Sequence, residues 1–178
     1  MSRIFIFGLD HFHQNLETGC CTVAGIADEQ EQKLALSDTL REIIIERRIL
    51  LIAEEAKFDR PCLGFQLAQE YKLGHINITM PLNEREGRGI HTPQYDLRET
   101  TRRIAYRIFE QYMFDQVKAI GVDPVLVMCG CRHLVGLDCR FRSAGDGVLS
   151  YDIHSFPWYR GIPKEGEDGV IGYEREPS

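Results

Sequence analysis

No apolar run in this 178-residue sequence approaches the length of about 20 residues that a membrane-spanning helix requires. The N-terminus also lacks the basic segment and the small-residue cleavage site of a secretory signal. A net charge of −6 argues against broad electrostatic binding to nucleic acid or to anionic membranes. We therefore expect a cytoplasmic protein with no nucleic-acid or membrane partner, and a homo-oligomer remains open.

Several short catalytic motifs are also missing from the sequence. It contains neither a G-x-x-x-x-G-K-[ST] loop nor a G-x-G-x-x-G loop, the glycine-rich segments that cradle nucleotide phosphates. The G-x-S-x-G turn that carries the nucleophile of many serine hydrolases is absent as well. Nucleotide binding through such loops and serine-hydrolase chemistry are therefore unsupported.

The six cysteines follow neither a disulfide framework nor a paired zinc-binding motif. A chain of this length buries about two thirds of its unfolded surface, so it can form a core without disulfides. We therefore expect reduced thiols. Cys129 is interpreted as a small buried residue at a strand end. Cys131 lies nearer the predicted site and is interpreted as an unreactive thiol, with a reactive thiol as the alternative, while the role of Cys139 is left open.

Short apolar runs alternate along the chain with longer amphipathic segments. The runs predict strands over residues 3–8, 49–53, 75–80, 124–129 and 148–153. Helices are predicted over residues 29–47, 61–71, 96–120 and 134–143. Because parallel strands need crossover connections, this order predicts a single α/β domain, with a mainly parallel central sheet of about five strands and helices on both faces. The predicted core covers residues 1–155, and residues 156–178 are predicted to form an irregular C-terminal tail.

Two of the predicted strands end in glycine, two spacer residues and histidine. The segment "GLDH" (8–11) follows the first strand, and "GCRH" (130–133) follows the fourth. Glycine allows a sharp turn with positive φ at a strand end, and the histidine then points over the edge of the sheet. Since the carboxyl ends of parallel strands meet at one edge, we expect His11 and His133 to converge there.

Carboxylates fall at the same predicted edge, with Asp10 after the first strand and Glu54 and Glu55 closing the second. Glu54 is the expected partner of His11 and His133, because Glu55 would point the other way if the strand continued. Two histidines and a carboxylate suit a divalent ion such as Mn, Co or Zn, with positions left for water and substrate. The alternative is that the histidines only hydrogen-bond within loops and that the glutamates begin a helix.

A metal ion at this edge would activate water for hydrolysis, and Glu55 could accept the proton. Asp10 is either a spacer or an acceptor that orients a histidine ring. The segment 81–95 is long, and long loops in compact domains are usually functional or disordered. We expect it to bind substrate through Arg85, Arg88 and His91, with a solvent-exposed loop histidine as the alternative for His91.

These motifs resemble those of the TraB/TIKI group, whose relatives include the erythromycin esterases and ChaN. Members carry paired G-x-x-H motifs, one after the first strand and one after a late strand. The segment "VLVMCGCRHLVGL" (125–137) resembles the group's valine-rich strand followed by G-x-x-H-L-x-G, and "ILLIAEE" (49–55) is similar to a strand that ends in glutamate. The resemblance covers the two ends of the core better than the middle.

The resemblance implies a metal-dependent hydrolase that cleaves a peptide or ester bond. It also places Glu110, in "RIFEQYMFDQV" (107–117), facing the site as a further catalytic carboxylate beside Glu55 and Asp10. Phe109 stands where the group usually has arginine, so anion binding would fall to Arg107, Arg103 or the loop arginines. Because the group also includes a haem-binding protein, the alternative is a non-catalytic binder that holds haem or a peptide in the same cleft.

Overall fold

A computed structural model describes residues 2–10, 23–56, 62–90, 99–165 and 171–174. The strands of the central sheet are β1 (Arg3–Leu9), β2 (Leu51–Glu54), β3 (Gly74–Asn77), β4 (Val125–Gly130) and β5 (Gly147–Asp152). The helices are α1 (Val23–Arg47), α2 (Leu63–Tyr71), α3 (Leu82–Gly87), α4 (Glu99–Ile120) and α5 (Cys131–Ser143). A short 3₁₀ helix (Ile153–Ser155) follows β5, and the last two strands are β6 (Ile162–Glu165) and β7 (Ile171–Glu174).

The five strands of the central sheet run in the order β3-β2-β4-β1-β5, and every neighbouring pair is parallel. The central strands β1 and β4 are almost wholly buried, as expected for strands covered on both faces. The prediction of an α/β domain with a parallel five-stranded sheet is therefore confirmed. Within the described ranges, no helix has the length and apolarity needed to cross a membrane.

Side chains from alternate positions of β1 enter two separate cores. Phe5 and Phe7 pack with residues of α1 and α2 on one face of the sheet. Ile4 and Ile6 pack with residues of α4 and α5 on the other face. Helices therefore cover both faces, and the alternation of a strand sets which core each side chain joins.

The connections that leave β1 and β4 diverge to opposite faces of the sheet. The connection from β1 to β2 passes through α1 on the Phe7 face, and the connection from β4 to β5 passes through α5 on the Ile6 face. Adjacent strands whose connections part in this way open a crevice beyond their carboxyl ends, where α/β proteins bind ligands. The residues that follow β1 and β4 are therefore candidates for a ligand-binding site.

Gly8 serves helix packing, which differs from the sharp turn that the sequence predicts. It lies inside β1, paired with Cys129 and Asp152, and neither Gly8 nor Gly130 adopts a positive φ. A Cβ atom on Gly8 would lie 3.2 Å from the side chain of Leu134 and 3.4 Å from the Cα of Cys131. The glycine therefore lets the first turns of α5 lie close against β1.

The prediction of an irregular tail after residue 155 is wrong for the part that the structure describes. Strands β6 and β7 form an antiparallel pair. Phe156 stacks on Phe7 with ring centroids 5.6 Å apart, and Tyr159 is buried in the same core. These aromatic residues join the tail to the domain, because their side chains find apolar partners on the sheet.

The segment 81–95, predicted to be a loop, contains the short helix α3.

Candidate functional site

Three clusters of carboxylate, imidazole and thiol side chains are candidates for a functional site in the part of the chain that the structure describes. The switch-point cluster consists of Asp10, Cys131 and His154. The His133 cluster consists of Glu55, His133 and Glu110. The Glu54 cluster consists of Glu54, Cys62 and His75.

The switch-point cluster draws its members from three strand ends. Asp10 follows β1, Cys131 is the first residue of α5 directly after β4, and His154 lies in the 3₁₀ helix after β5. One side-chain ligand atom from each residue lies within 4.8 Å of the other two. This convergence is at the crevice where the connections of β1 and β4 part.

Asp10 is the centre of the switch-point cluster and is fully buried. Its Oδ1 lies 3.6 Å from Nε2 of His154 and 3.9 Å from Sγ of Cys131. Its Oδ2 accepts a short hydrogen bond from the Tyr159 hydroxyl. One oxygen is thus held by Tyr159, and the other faces the imidazole and the thiol.

A second carboxylate orients the ring of His154. Asp152 accepts a hydrogen bond from the backbone N–H of His154 at 2.9 Å, and its Oδ1 lies 3.4 Å from Nδ1 of the ring. On the other side of the ring, Nε2 is buried and makes no hydrogen bond within the described part of the chain. In most metal sites, one ring nitrogen of a histidine is held by a carboxylate and the other binds the ion. His154 has this arrangement, with Nδ1 beside Asp152 and Nε2 facing Asp10.

The spacing of the switch-point cluster fits a small tetrahedral ion. Ligand distances of about 2.0 Å for nitrogen and oxygen and about 2.3 Å for sulfur place tetrahedral ligands about 3.3 to 3.5 Å apart. The separations of 3.6 and 3.9 Å measured from Asp10 are slightly longer, so small side-chain movements would bring the atoms to bonding distance. Mixed thiolate, imidazole and carboxylate donors favour zinc or cobalt over magnesium or calcium.

The His133 cluster is an imidazole held between two carboxyl groups. Nε2 of His133 lies 3.7 Å from Oε1 of Glu55, and Nδ1 lies 3.6 Å from Oε1 of Glu110. Glu55 is itself fixed by the Gly130 N–H, which donates to Oε2 at 3.0 Å. The two carboxyl groups lie on opposite sides of the imidazole, one near each ring nitrogen. Each can therefore exchange a proton with His133, but the two cannot bind one ion together with it.

The two carboxyl groups also control the protonation of His133. Burial lowers its pKa, but the negative charges of Glu55 and Glu110 outweigh burial, and the net effect raises the pKa above its usual 6.5. His133 is only 3% exposed, so solvent screens these interactions little. The two carboxyl groups therefore favour the charged form of the imidazole more than water does.

The raised pKa of His133 predicts a pH-dependent contribution to stability. The folded state binds this proton more tightly than the unfolded state, so the contribution is complete below about pH 6.5 and is lost as the pH rises through the raised pKa. We expect His133→Gln to remove this component from the free energy of unfolding, measured by urea denaturation at several pH values. Cys139→Ser, an exposed position on the same helix, should keep it. Identical pH profiles for wild type and His133→Gln would contradict the assignment.

The Glu54 cluster lies at the N-terminus of α2. Glu54 is fully buried and accepts hydrogen bonds from the N–H groups of Gly64 at 3.1 Å and Phe65 at 3.2 Å. Oε2 of Glu54 also lies 3.2 Å from Nε2 of His75. Burial, followed by hydrogen bonding to Glu54, raises the pKa of Cys62 to about 12, which keeps its thiol protonated at neutral pH.

The structure separates two of the residues that the sequence places together. Glu54 faces α2 and meets His75, whereas Glu55 is the glutamate that meets His133. The predicted pairing of Glu54 with His133 is therefore not observed. Strand β2 is buried on both faces, so its residues do not alternate between apolar and polar. The sequence therefore does not show toward which face of the sheet its last residues point. His11, the third predicted ligand, lies outside the described residues.

The predicted catalytic carboxylates do reach the carboxyl edge, since Asp10 belongs to the switch-point cluster and Glu55 and Glu110 to the His133 cluster. Tyr159 was not predicted from the sequence. His154 directly follows "VLSYDI" (148–153), and the sequence left its role open, although the rule that selected Asp10 applies to it as well.

The arginines predicted to bind substrate lie on the helices α3 and α4 or directly after α3. Arg85 donates to the Met80 carbonyl at 2.8 Å, and its guanidinium lies 5.1 Å from the ring of Phe109, which itself lies 6.5 Å from the His133 ring. Arg88 pairs with Glu84 at 2.7 Å, and Arg107 is exposed. Arg85 is thus linked to the His133 cluster through Phe109. Arg107 is linked to it through Arg140, which donates to the Arg107 carbonyl at 3.0 Å and lies 3.9 Å from Oε2 of Glu110. His91 lies outside the described residues.

Comparison of the chain with protein-family models, with curated proteins and with solved structures gives no significant match. The likeness to the TraB/TIKI group thus remains a prediction that rests on "GLDH" (8–11), "GCRH" (130–133) and their surroundings. The function of the protein must therefore be inferred from the geometry and chemistry of its three clusters.

Proposed function

We propose that this protein is a metal-dependent hydrolase of a peptide or ester bond, with a divalent ion held by Asp10, Cys131 and His154. The observation that carries the proposal is the convergence of these three donors beyond the carboxyl ends of β1 and β4, where the connections of the two strands part. Open α/β sheets bind ligands at this position. The proposal keeps the metal chemistry expected from the sequence and changes the residues that hold the ion.

Each residue of the switch-point cluster has a defined part in this proposal. Asp10 presents Oδ1 to the ion while the Tyr159 hydroxyl holds Oδ2, and Asp152 keeps Nε2 of His154 directed at Asp10. When bound, a zinc or cobalt ion supplies Lewis-acid activation of water and of a carbonyl group. The held carboxylate and the oriented imidazole fix the ligand positions before an ion or a substrate arrives.

His133 is the candidate proton donor of the proposed hydrolysis. Glu55 and Glu110 raise the pKa of its ring, and His133 lies on the same first turn of α5 as Cys131. A protonated imidazole is a suitable general acid for a leaving amine or alcohol. Glu55 and Glu110 thus act as positioning residues, because they act through His133.

The experiment is a hydrolysis screen with p-nitrophenyl esters and short peptides as substrates. The full chain would be stripped with chelator and then assayed with zinc, cobalt or manganese and without added metal. We expect turnover that requires added metal and falls at least about 100-fold in Cys131→Ser, as expected for loss of a metal ligand. Cys139→Ser is the matched control, since Cys139 is an exposed thiol on the same helix.

Two results would overturn this proposal. Metal binding without turnover of any substrate would favour the non-catalytic alternative, a protein that holds haem or a peptide. Turnover that persists in the stripped protein but is lost on alkylation of Cys131 would identify a thiol nucleophile instead of a metal centre, because a helix N-terminus can activate a cysteine.

A further inference from the structure

A second set of metal-binding donors lies at the N-terminus of α2, in the Glu54 cluster. Glu54 is the last residue of β2, Cys62 immediately precedes α2, and His75 lies in β3. One ligand atom from each lies within 4.8 Å of the other two, and the set shares no residue with the switch-point cluster. The donors thus come from three different elements that are already packed together.

The imidazole and carboxylate of this cluster lie closer to the separation of zinc ligands than those of the switch-point cluster do. Nε2 of His75 and Oε2 of Glu54 are 3.2 Å apart, against about 3.3 Å for nitrogen and oxygen ligands of one tetrahedral zinc ion. The ring of His75 is further held by an edge contact with Phe65, whose ring centroid lies 5.4 Å away. The imidazole and the carboxylate therefore already stand at ligand separation.

The carboxylate of Glu54 is fixed by hydrogen bonds. The Gly64 N–H donates to Oε1, the Phe65 N–H donates to Oε2, and Nε2 of His75 is hydrogen-bonded to Oε2, so an ion bound here would take the place of the Glu54–His75 hydrogen bond. Such N–H groups orient a metal-binding carboxylate in the way that outer hydrogen bonds do in known metal sites. Gly64 is required for this approach, since a Cβ atom there would overlap the Glu54 carboxylate.

We propose that Glu54, Cys62 and His75 form a zinc site that fastens the N-terminus of α2 to strands β2 and β3. Zinc binding would displace the proton of the Cys62 thiol, and the resulting thiolate, with an imidazole and a carboxylate, favours zinc and leaves the fourth position to water. An ion bound to the folded state but not to the unfolded chain stabilises the fold. This site is independent of the proposed hydrolase centre, because it uses other residues.

The experiment removes the switch-point cluster first, so that failure of the hydrolase proposal does not affect it. The full-length Cys131→Ser/His154→Ala protein would be titrated with zinc against a chromophoric chelator, and with cobalt by absorption spectroscopy. We expect one zinc ion per chain, a thiolate-to-cobalt charge-transfer band, and a melting temperature that rises with zinc. Adding Cys62→Ser should abolish the band and weaken zinc binding at least about 100-fold. Adding Cys139→Ser should change neither.

A second variant, which removes the imidazole ligand, keeps the proposal testable if the Cys62→Ser protein does not fold. His75→Ala, also in the background without the switch-point cluster, should weaken zinc binding to a similar extent while the circular dichroism spectrum stays native. The proposal is overturned if the background protein binds no zinc, or if its affinity is unchanged in a folded Cys62→Ser or His75→Ala variant. In either case Glu54 would serve only as a cap for α2.

Discussion

Replacing Asp10 by asparagine is expected to weaken zinc binding at the switch-point cluster at least about 100-fold and to abolish metal-dependent turnover. Oδ1 of Asp10 is the atom that faces both His154 and Cys131, at 3.6 and 3.9 Å. An amide oxygen keeps the shape of the carboxylate but lacks its charge and is a poor ligand for zinc. Affinity would be measured by equilibrium dialysis and elemental analysis in a Cys62→Ser background, which leaves the switch-point cluster intact.

The matched control for this variant is Asp146→Asn. Asp146 is also buried, but it directly precedes β5 at the opposite edge of the sheet and pairs with Lys118 at 2.9 Å. The same chemical change there should leave zinc affinity unaltered, even if it lowers stability. Unchanged zinc affinity in Asp10→Asn, or an equal loss in Asp146→Asn, would show that Asp10 is not a ligand.

Gly8→Val is expected to lower the free energy of unfolding by about 3 kcal/mol, the upper part of the range for overpacking a core. Even a Cβ atom at this position would lie 3.2 Å from Leu134 and 3.4 Å from the backbone of Cys131. The added methyl groups would force α5 away from β1, and this movement would also shift Cys131. Urea denaturation of the two proteins measures the difference directly.

Gly87→Val provides the control for the valine substitution itself. A Cβ atom on Gly87 would meet no atom within 4 Å, and the residue lies at the end of the surface helix α3. We expect a change within about 0.5 kcal/mol there, as is usual for surface substitutions. A loss below about 1 kcal/mol in Gly8→Val would show that α5 can retreat at little cost and that the glycine is not needed for packing.

The sheet could be predicted from the sequence because its strands are short, continuous apolar runs. "IFIF" (4–7) and "VLVMC" (125–129) are buried on both faces, and a parallel sheet covered by helices is the arrangement that buries such runs. Because the strands are buried on both faces, the sequence does not show toward which face the residues at their ends point. A run without alternation does not tell which glutamate of Glu54 and Glu55 faces which core, and the prediction chose the wrong one for His133.

The members of the two candidate metal sites were hard to find because they are distant in sequence. Asp10 could be selected from its place after β1, but its partnership with Cys131 and His154 depends on β1 lying between β4 and β5. Likewise, Cys62 and His75 meet at Glu54 only because β2 and β3 are neighbours and α2 begins beside them. Strand order follows from tertiary packing, and local patterns do not encode it.

The most direct test of the proposed metal centre is an anomalous diffraction measurement at the zinc edge on crystals of the zinc-loaded wild-type protein. We expect a zinc peak at the crevice between β1 and β4, about 2.0 to 2.3 Å from the ligand atoms of Asp10, Cys131 and His154. A peak bound instead by His133 and His11, or no peak beyond the ends of β1 and β4, would contradict the proposed centre.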